Sequence, residues 1–186
     1  MTLNQVFKEA RKKMEASIEH FKRELTKVRT GRASVGLFEE IKVEYYGAPT
    51  PLNQLATISV VSPDMVVIQP WDPNTLTDIE KAIIRAHLGF NPTNDGKVIK
   101  VYIPPLDEER RREIVKLVHK ILEETKTAIR AIRREAREKL VEMEKAKEIS
   151  EDDKFRGFDK IQELHDEFIE KAEELARKKE EEIMEV

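Results

Sequence analysis

A cluster of basic residues between positions 126 and 137 has the clearest chemical meaning in this sequence. Ile129, Ile132 and Ala136 recur at spacings of three and four residues, which predicts a helix that buries one apolar stripe. At about 100° per residue, the basic side chains gather on a face turned away from that stripe, and we expect them to point to solvent. The cluster consists of Lys126, Arg130, Arg133, Arg134 and Arg137.

The spacing within this cluster favours binding of an external anion. Three pairs of its cations are i,i+4 neighbours, and each such pair destabilises a helix by a few tenths of a kcal/mol. Arginine stands at four of the five positions, and its planar fork of donors matches phosphate oxygens. Charge runs on long helices are usually solvated faces, but those faces interleave both signs. We therefore interpret the cluster as a docking face for a phosphate backbone.

The charge distribution of the 186-residue chain favours docking in one orientation. The formal net charge is −3, yet residues 110–137 contain ten Lys and Arg against four Asp and Glu, whereas residues 138–186 contain ten against eighteen. A local basic strip on an acidic protein suits oriented binding to nucleic acid better than indiscriminate coating of it.

The composition also indicates where the protein works. The chain has no cysteine, which excludes disulfide and thiolate chemistry and points to a reducing compartment. The first ten residues lack the apolar core of a signal peptide, and no apolar run reaches the length of a membrane span. We expect a soluble cytoplasmic protein without a membrane partner. The 38% of charged residues also fits a heat-adapted source.

Periodicity divides the chain into a helical part and an inserted domain. Residues 1–30 begin with a Thr2–Gln5 capping box and continue as a helix with one apolar stripe. Residues 31–105 contain all eight prolines, all three tyrosines and the tryptophan. Residues 106–186 predict two further helices. The predicted fold is α+β: an elongated three-helix bundle formed by residues 1–30 and 106–186, with a small mixed α/β domain at 31–105 set at an angle in an L shape.

Each predicted helix of the bundle has a stripe at spacings of three and four residues. The first stripe is Leu3, Phe7, Ala10, Met14, Ile18, Phe21, Leu25 and Val28; the second is Ile114, Val118, Ile121, Thr125, Ala128, Ile132, Ala136, Leu140 and Met143; the third is Phe155, Phe158, Ile161, Leu164, Phe168, Ala172 and Leu175. Asp107 is the predicted N-cap of the second helix, and Ser150 with Asp153 is the predicted capping box of the third.

The inserted domain has the pattern of short strands around one helix. Alternation predicts strands at 41–46, 57–61, 65–69 and 97–103. Gly47-Ala48-Pro49 is interpreted as the turn after the first strand, and a helix capped by Asn74 or Thr75 and ended by Gly89 buries Leu76, Ile79 and Ile83.

Two connectors join the inserted domain to the bundle, at residues 29–33 and 103–106. Glycine on one side and paired proline on the other predict a hinge that limits swinging without abolishing it. The hinge residues are Arg29, Gly31, Arg32, Pro104 and Pro105.

The sequence offers no constellation for catalysis. The four histidines, His20, His87, His119 and His165, lie on separate elements without partners at metal-ligand spacing, and no glycine-rich phosphate loop is present. We expect no metal, no cofactor and no enzymatic activity. Tyr45, Tyr46, Trp71 and Phe90 have the chemistry to stack on unpaired bases, but an interpretation as the core and corners of a small β-rich domain is favoured over it.

A series of short motifs resembles the ribosome recycling factor family along the whole chain. They are Val28-Arg29-Thr30-Gly31-Arg32-Ala33-Ser34, Val43-Glu44-Tyr45-Tyr46-Gly47, Pro51-Leu52, Leu88-Gly89-Phe90-Asn91-Pro92, Asp95-Gly96, Pro104-Pro105-Leu106, Glu108-Glu109-Arg110-Arg111, Ile132-Arg133-Arg134, Ile149-Ser150-Glu151-Asp152 and Lys179-Glu180. No single motif is decisive, but their number and order make chance resemblance very rare.

The resemblance implies a function after translation termination. Members of the family bind the post-termination ribosome at the intersubunit space, on rRNA of the large subunit, and split it into subunits together with elongation factor G and GTP. The rRNA-contacting arginines of the family correspond to Arg110, Arg130 and Arg133, whereas Arg134 and Arg137 come from helix geometry alone. The chain departs from many relatives at Ala131, where Asn is common, and at Glu135, where Asp is common.

A second class of function is compatible with the sequence. A coiled-coil RNA-binding or chaperone-cofactor module, whose α/β head grips a protein client, would have the same helical pattern but would form a dimer. The three helices of unequal length favour a monomeric bundle instead. A hydrolase or transferase is disfavoured because no nucleophile and base occur as a pair.

Overall fold

The computed structural model describes residues 1–185, so that Val186, which the predicted bundle includes, lies outside the described residues. Four α-helices and six β-strands occur in this range, and the α+β class is confirmed. The chain divides into two compact units. The first combines residues 1–25 with the described residues from Glu113 onward, and the second is Thr26–Arg112.

Helix α1, Leu3–Thr26, begins at the predicted capping box. The Thr2 backbone N–H donates to Gln5 Oε1 at 2.8 Å, and the Gln5 N–H donates to Thr2 Oγ1 at 3.2 Å. These two bonds satisfy N–H groups that have no partner inside the helix. The predicted stripe is buried from Ala10 onward, while in the first turns Val6 takes the place of the half-buried Leu3 and Phe7.

Helix α3 of the bundle, Glu108–Lys145, is preceded by Asp107, whose Oδ1 accepts the Arg110 N–H at 2.7 Å. The predicted cap is confirmed, but the predicted stripe is wrong in its middle. Leu122 is buried where Ile121 was expected. Ile129 is buried, as its spacing with Ala136 predicted, whereas Ala128 of the longer stripe is exposed and Ile132 is only half-buried.

The physical reason is the period of the buried positions in α3. They recur every 11 residues, as in Ile114, Thr125 and Ala136 or in Val118, Ile129 and Leu140. This repeat corresponds to about 3.67 residues per turn, whereas the expected stripe followed the seven-residue repeat of about 3.5 per turn. The expected stripe therefore leaves the buried face at Ile121 and Ala128, and it returns to that face at Ala136.

Helix α4, Glu151–Met184, begins at a complete capping box, in which the Asp153 N–H donates to Ser150 Oγ at 3.0 Å and the Ser150 N–H donates to Asp153 Oδ2 at 3.3 Å. Its predicted stripe holds from Ile161 to Ala172. Phe155, expected in the core, is 51% exposed, and Ala176 is buried in place of the half-buried Leu175.

The three long helices share one core within the first unit. Near the α3–α4 turn, buried apolar side chains from all three helices form one cluster. Its members are Val6, Ala10, Ala136, Leu140, Met143 and Ile161. Gly157 lies where α4 approaches α3, since a Cβ there would be 2.6 Å from Leu140 Cδ1. The predicted three-helix bundle is confirmed as a helical bundle.

The second unit consists of a four-stranded antiparallel sheet, a separate hairpin and one helix. The hairpin pairs β1, Lys42–Tyr45, with β2, Ala48–Pro51. The sheet has the order β3-β4-β6-β5. Its strands are β3, Ala56–Ser62; β4, Met65–Pro70; β5, Pro92–Asn94; and β6, Ile99–Tyr102, and the helix α2 is Leu76–Arg85. Leu76, Ile79 and Ile83 of α2 are buried, as predicted, in the core of this unit.

Strand β5, Pro92–Asn94, is absent from the sequence prediction, and two further features of the second unit differ from it. The hairpin turn consists of Tyr46 and Gly47, which have φ values of 49° and 80°, so that Ala48 and Pro49 belong to a strand instead of the predicted turn. Helix α2 ends at Arg85, ahead of the expected stop at Gly89. Among residues 1–185, no helix has both the length and the apolar character needed to cross a bilayer.

We predict that Gly157→Ala destabilises the bundle. The new methyl group overlaps Leu140, which is fully buried and cannot move aside freely. We expect a net loss of about 1–2 kcal/mol in the free energy of unfolding, even though alanine favours the helix by about 1 kcal/mol. Urea unfolding monitored by circular dichroism measures this change.

The matched background for this test is Leu140→Ala. Once the overlapping side chain is removed, the same Gly157→Ala substitution should stabilise the protein, because only the helix preference and the partial filling of the cavity remain. The same sign of effect in both backgrounds would show that Gly157 is not required by contact with Leu140.

Candidate nucleic-acid interface

Four arginines of α3 line one open groove of about 750 Å³ beside α4 in the first unit. They are Arg130, Arg133, Arg134 and Arg137, and the remaining lining residues are Glu138, Val141, Glu142, Lys145 and Phe158. Helical spacing brings the arginines together, since residues three, four and seven apart share a side of the helix. The groove thus contains five cations and two carboxylates.

The guanidinium groups in the groove have no ion-pair partner. Within residues 1–185, no carboxylate oxygen lies within 4.0 Å of the guanidinium nitrogens of the four groove arginines. Glu135, which follows Arg134 in the sequence, accepts from Lys13 Nζ of α1 at 3.0 Å, and Lys139 donates to Glu9 at 3.0 Å. The opposite flank of α3 therefore holds its own ion pairs with α1, and the groove keeps its positive charge.

Three cations of α3 contact residues of α4, and their α4 partners follow in reverse sequence order because the two helices are antiparallel. Arg137 lies over the ring of Phe158, with its guanidinium carbon 4.3 Å from the ring centroid. Such a contact holds the charge in place without neutralising it. Phe158 in turn contacts the exposed Phe155 edge to face, at 6.0 Å between ring centroids.

Arg133 is half-buried and donates through Nη1 to Gln162 Oε1 of α4 at 3.2 Å. Its burial follows from the 11-residue repeat of α3, because position 133 continues the buried position Leu122 toward α4. Arg130 and Arg134 are exposed. The expectation that the whole cluster points to solvent is therefore wrong for Arg133.

Lys126 also differs from that expectation. Its side chain is only 16% exposed, and its Nζ lies 3.2 Å from Glu173 of α4 and 3.6 Å from Glu123. Lys126 and Arg133 differ because of the α4 residue beside each of them. Lys126 faces the carboxylate of Glu173, whereas Arg133 faces the amide of Gln162. The cationic surface therefore consists of the four arginines and Lys145, whereas Lys126 is already paired.

Arg110, the remaining predicted RNA contact, lies at the start of α3 in the second unit and is exposed. Its positive charge acts on Arg29: burial lowers the pKa of the Arg29 guanidinium, and the charge of Arg110 lowers that pKa further. Arg110 therefore belongs to a different charge environment from the groove arginines.

The two predicted hinge segments contact each other within the second unit. Arg29 Nη2 donates to the Pro104 carbonyl at 2.9 Å. Gly31 has φ +83°, and a Cβ at this position would lie 3.3 Å from Leu106 Cγ. Arg29 also lies over the buried Phe90, 5.6 Å from its ring centroid. Arg32 is exposed, and Pro105 is exposed beside the half-buried Pro104.

The aromatic residues of the second unit divide between core and surface. Phe90 is buried against Phe38, while Tyr46 is 85% and Trp71 is 63% exposed. Trp71 Nε1 donates to Thr57 Oγ1 at 2.8 Å, which fixes the indole on the surface. Within the described part of the chain, no group of three or more His, Cys, Asp or Glu side chains is arranged to hold a metal.

Sequence reasoning missed the α4 residues that complete the groove. Phe158 was assigned to the core, and Gln162 was not considered, because both reach α3 across the interface between the helices. The available signal was their spacing: residues 158 and 162 are i,i+4 neighbours on the same side of α4 as Asp166. Without the relative phase of the two helices, that spacing does not identify their partners.

Comparison with known proteins gives one consistent family. The sequence profile of that family, described as ribosome recycling factor, matches residues 21–184. The chain is 51% identical over 184 residues to the ribosome-recycling factor of Desulfosudis oleivorans, covering 99% of this chain and 100% of the relative. It is 50% identical over 182 residues to that of Geobacillus thermodenitrificans, covering 98% of both chains.

Two solved structures are similar over the whole chain. The solution structure of a ribosome recycling factor has a TM-score of 0.80 at 49% identity, and the match covers 100% of this chain and 99% of the other. The Thermus thermophilus factor, described with Escherichia coli elongation factor G bound to the post-termination complex, has a TM-score of 0.69 at 48% identity, covering 99% and 100%.

The acid beside Gln162 generates a pH prediction. Hydrogen bonds from His165 and then from Gln162 hold the pKa of Asp166 below its ordinary value of 3.8. Because the folded-state pKa is below the unfolded one, the stabilisation by this carboxylate is complete above the ordinary value and is lost as pH falls through the folded pKa. The stability difference between the parent and Asp166→Asn, measured by urea unfolding, should therefore shrink in that acid range. A difference that is unchanged in acid would contradict this.

Proposed function

The chain belongs to the ribosome recycling factor family, and from this membership we propose that it binds the post-termination ribosome at the intersubunit space. With elongation factor G and GTP, it promotes dissociation of that ribosome into subunits for a new round of translation. The related factor described with elongation factor G on a post-termination complex supports this assignment.

One observation carries the proposed contact with ribosomal RNA: the α3 groove holds four arginines without a carboxylate partner. Phosphate oxygens are the ligands that a guanidinium fork binds in pairs, and RNA presents them in a continuous series. The exposed Arg130 and Arg134 can swing onto phosphates, while Arg133 and Arg137 are held by α4.

We assign the rRNA contacts to Arg110, Arg130, Arg133, Arg134 and Arg137. Lys126 contributes least, since two carboxylates already neutralise its ammonium group. The partner is rRNA of the large subunit, because the groove offers charge and planar donors and the family acts on ribosomes.

We place a joint at segments 29–33 and 103–106. The bond from Arg29 to Pro104 and the close approach of Gly31 to Leu106 connect these segments, so they would move as one joint. Arg29, Gly31, Arg32, Pro104 and Pro105 provide it, and elongation factor G supplies the force that the joint transmits.

The protein acts by binding and by mechanical displacement. It breaks no covalent bond and uses no cofactor of its own. We propose that it works as a monomer in the cytoplasm, where ribosomes terminate translation. The alternative coiled-coil module with a protein client is not favoured, because the family match extends over residues 21–184.

The groove assignment predicts that Arg130→Ala and Arg134→Ala each weaken binding to post-termination ribosomes about tenfold or more at moderate salt. Each variant should also lower the slope of log affinity against log salt by about one, because one phosphate contact is lost. Equilibrium binding at several salt concentrations measures both effects. Light scattering with elongation factor G and GTP follows the accompanying loss of subunit dissociation.

Arg177→Ala is the matched control for these variants. Arg177 is an exposed arginine of α4 in the same unit, but Glu174 and Glu181 already pair with its guanidinium. Its removal should leave affinity and salt slope unchanged. Equal weakening of the control and the groove variants would show that total charge, and not the groove, determines binding.

The joint is tested by comparing Gly31→Ala with Gly47→Ala. Both glycines have φ near +80°, so each substitution introduces similar backbone strain, but only a methyl group at position 31 meets a neighbour, Leu106. We expect Gly31→Ala to bind ribosomes within about twofold of the parent while dissociating them several-fold more slowly. Gly47→Ala should behave as the parent. Undiminished dissociation by Gly31→Ala would exclude a joint at this position.

A further inference from the structure

We propose that Gln162 and Asp166 of α4 are positioning residues that hold the Arg133 guanidinium toward the groove in the orientation that binds a phosphate. This inference rests on the proposed function, since it concerns how one of the RNA-binding arginines is prepared for its ligand. Neither Gln162 nor Asp166 lines the groove itself.

The hydrogen bonds of this network run in one direction, from Arg133 through Gln162 to Asp166. Arg133 Nη1 donates to Gln162 Oε1 at 3.2 Å, and Gln162 Nε2 donates to Asp166 Oδ1 at 2.9 Å. The amide therefore uses both of its ends. A flipped amide would turn its NH₂ toward the guanidinium, which has only donors. The ionised Asp166 carboxylate accepts hydrogen bonds and donates none, so it selects the orientation in which the amide oxygen faces Arg133.

His165 contacts the Asp166 carboxylate, which in turn accepts a hydrogen bond from the Gln162 amide. Its Nδ1 lies 2.8 Å from Asp166 Oδ1 and 3.3 Å from Gln162 Nε2, and its side chain is only 12% exposed. A proton on Nδ1 is donated to Asp166, which leaves the lone pair on the buried Nε2, an atom without a hydrogen-bond partner in the described residues. Asp166 Oδ1 then accepts from two neighbours, so its rotamer is determined by both.

The residue at position 162 is a neutral amide, and this determines how much charge Arg133 keeps. A neutral amide oxygen orients a guanidinium and leaves its full charge available to an external phosphate. A carboxylate at the same distance would neutralise it, as Glu173 does for Lys126. The negative charge of this network is on Asp166, which is hydrogen-bonded to the Gln162 amide and not to Arg133.

Orientation matters because an exposed arginine loses rotamer freedom when it binds. Arg130 and Arg134 bear this entropic cost on binding, whereas Arg133 is already half-buried and hydrogen-bonded in the free protein. Loss of Gln162 should therefore weaken ribosome binding about three- to tenfold, the range expected when one long side chain is no longer held in place.

A double-mutant cycle tests the coupling. Dissociation constants for post-termination ribosomes are measured for the parent, Gln162→Ala, Arg133→Ala and the variant with both substitutions, together with their thermal unfolding midpoints. We expect Gln162→Ala to weaken binding in the parent background and to have no further effect in the Arg133→Ala background. A merely structural role of Gln162 would weaken binding equally in both backgrounds and would overturn the proposal.

Asp166→Asn and Asp166→Ala form a matched pair for the second step. Both remove the same charge, but asparagine keeps an oxygen that can accept from Gln162, whereas alanine does not. We expect Asp166→Asn to bind severalfold more tightly than Asp166→Ala, with similar unfolding midpoints. Equal affinities would show that Asp166 acts through its charge alone and would overturn its positioning role.

The outcomes also distinguish this inference from the proposed function. If Arg134→Ala weakens binding while Gln162→Ala binds as the parent does, the groove assignment stands and the positioning role falls. If Arg133→Ala binds as the parent does, Arg133 has no phosphate to contact, and the positioning role falls with its assigned contact.

Discussion

Each long helix of the first unit must bury one apolar stripe against the other two, and this constraint decides which charges remain available. Burial of the stripe gives α3 two flanks with different neighbours. On the α1 flank, Glu135 and Lys139 pair with Lys13 and Glu9 at 3.0 Å. On the α4 flank, the arginines meet residues that do not neutralise them. The groove is cationic because its five cations outnumber its two carboxylates, Glu138 and Glu142, while Glu135 is paired with α1, although the chain as a whole is acidic.

The local parts of this arrangement could be predicted from the sequence, and the phase of the helices could not. Both capping boxes, Thr2 with Gln5 and Ser150 with Asp153, were found because all their hydrogen bonds lie within three residues. The middle of the α3 stripe was wrong because a seven-residue repeat drifts by about 20° per heptad from a straight helix. This error also hid the burial of Arg133, which lies 11 residues after Leu122.

The second unit shows a related limit for strands. The buried face of α2 was predicted correctly because Leu76, Ile79 and Ile83 follow one helical period within ten residues. Strand β2 was missed because two of its four residues are proline, which normally argues against a strand. A two-stranded hairpin tolerates proline on its outer edge, where no ladder bond is needed. Whether a segment has such an edge depends on its partner strand, which single-strand patterns do not specify.

Three α3 cations differ according to the α4 residue that each one faces. Glu173 neutralises Lys126, Gln162 accepts a hydrogen bond from Arg133, and Phe158 lies beneath Arg137. These three side chains are a carboxylate, an amide and a ring, and only the carboxylate removes the charge of the cation beside it. At physiological salt the Debye length is about 8 Å, so the acidic residues elsewhere on the chain are largely screened from a ligand in the groove. We therefore propose that recognition of a phosphate depends on the arginines that it touches, and that the anion-binding surface begins at Arg130, beyond the paired Lys126.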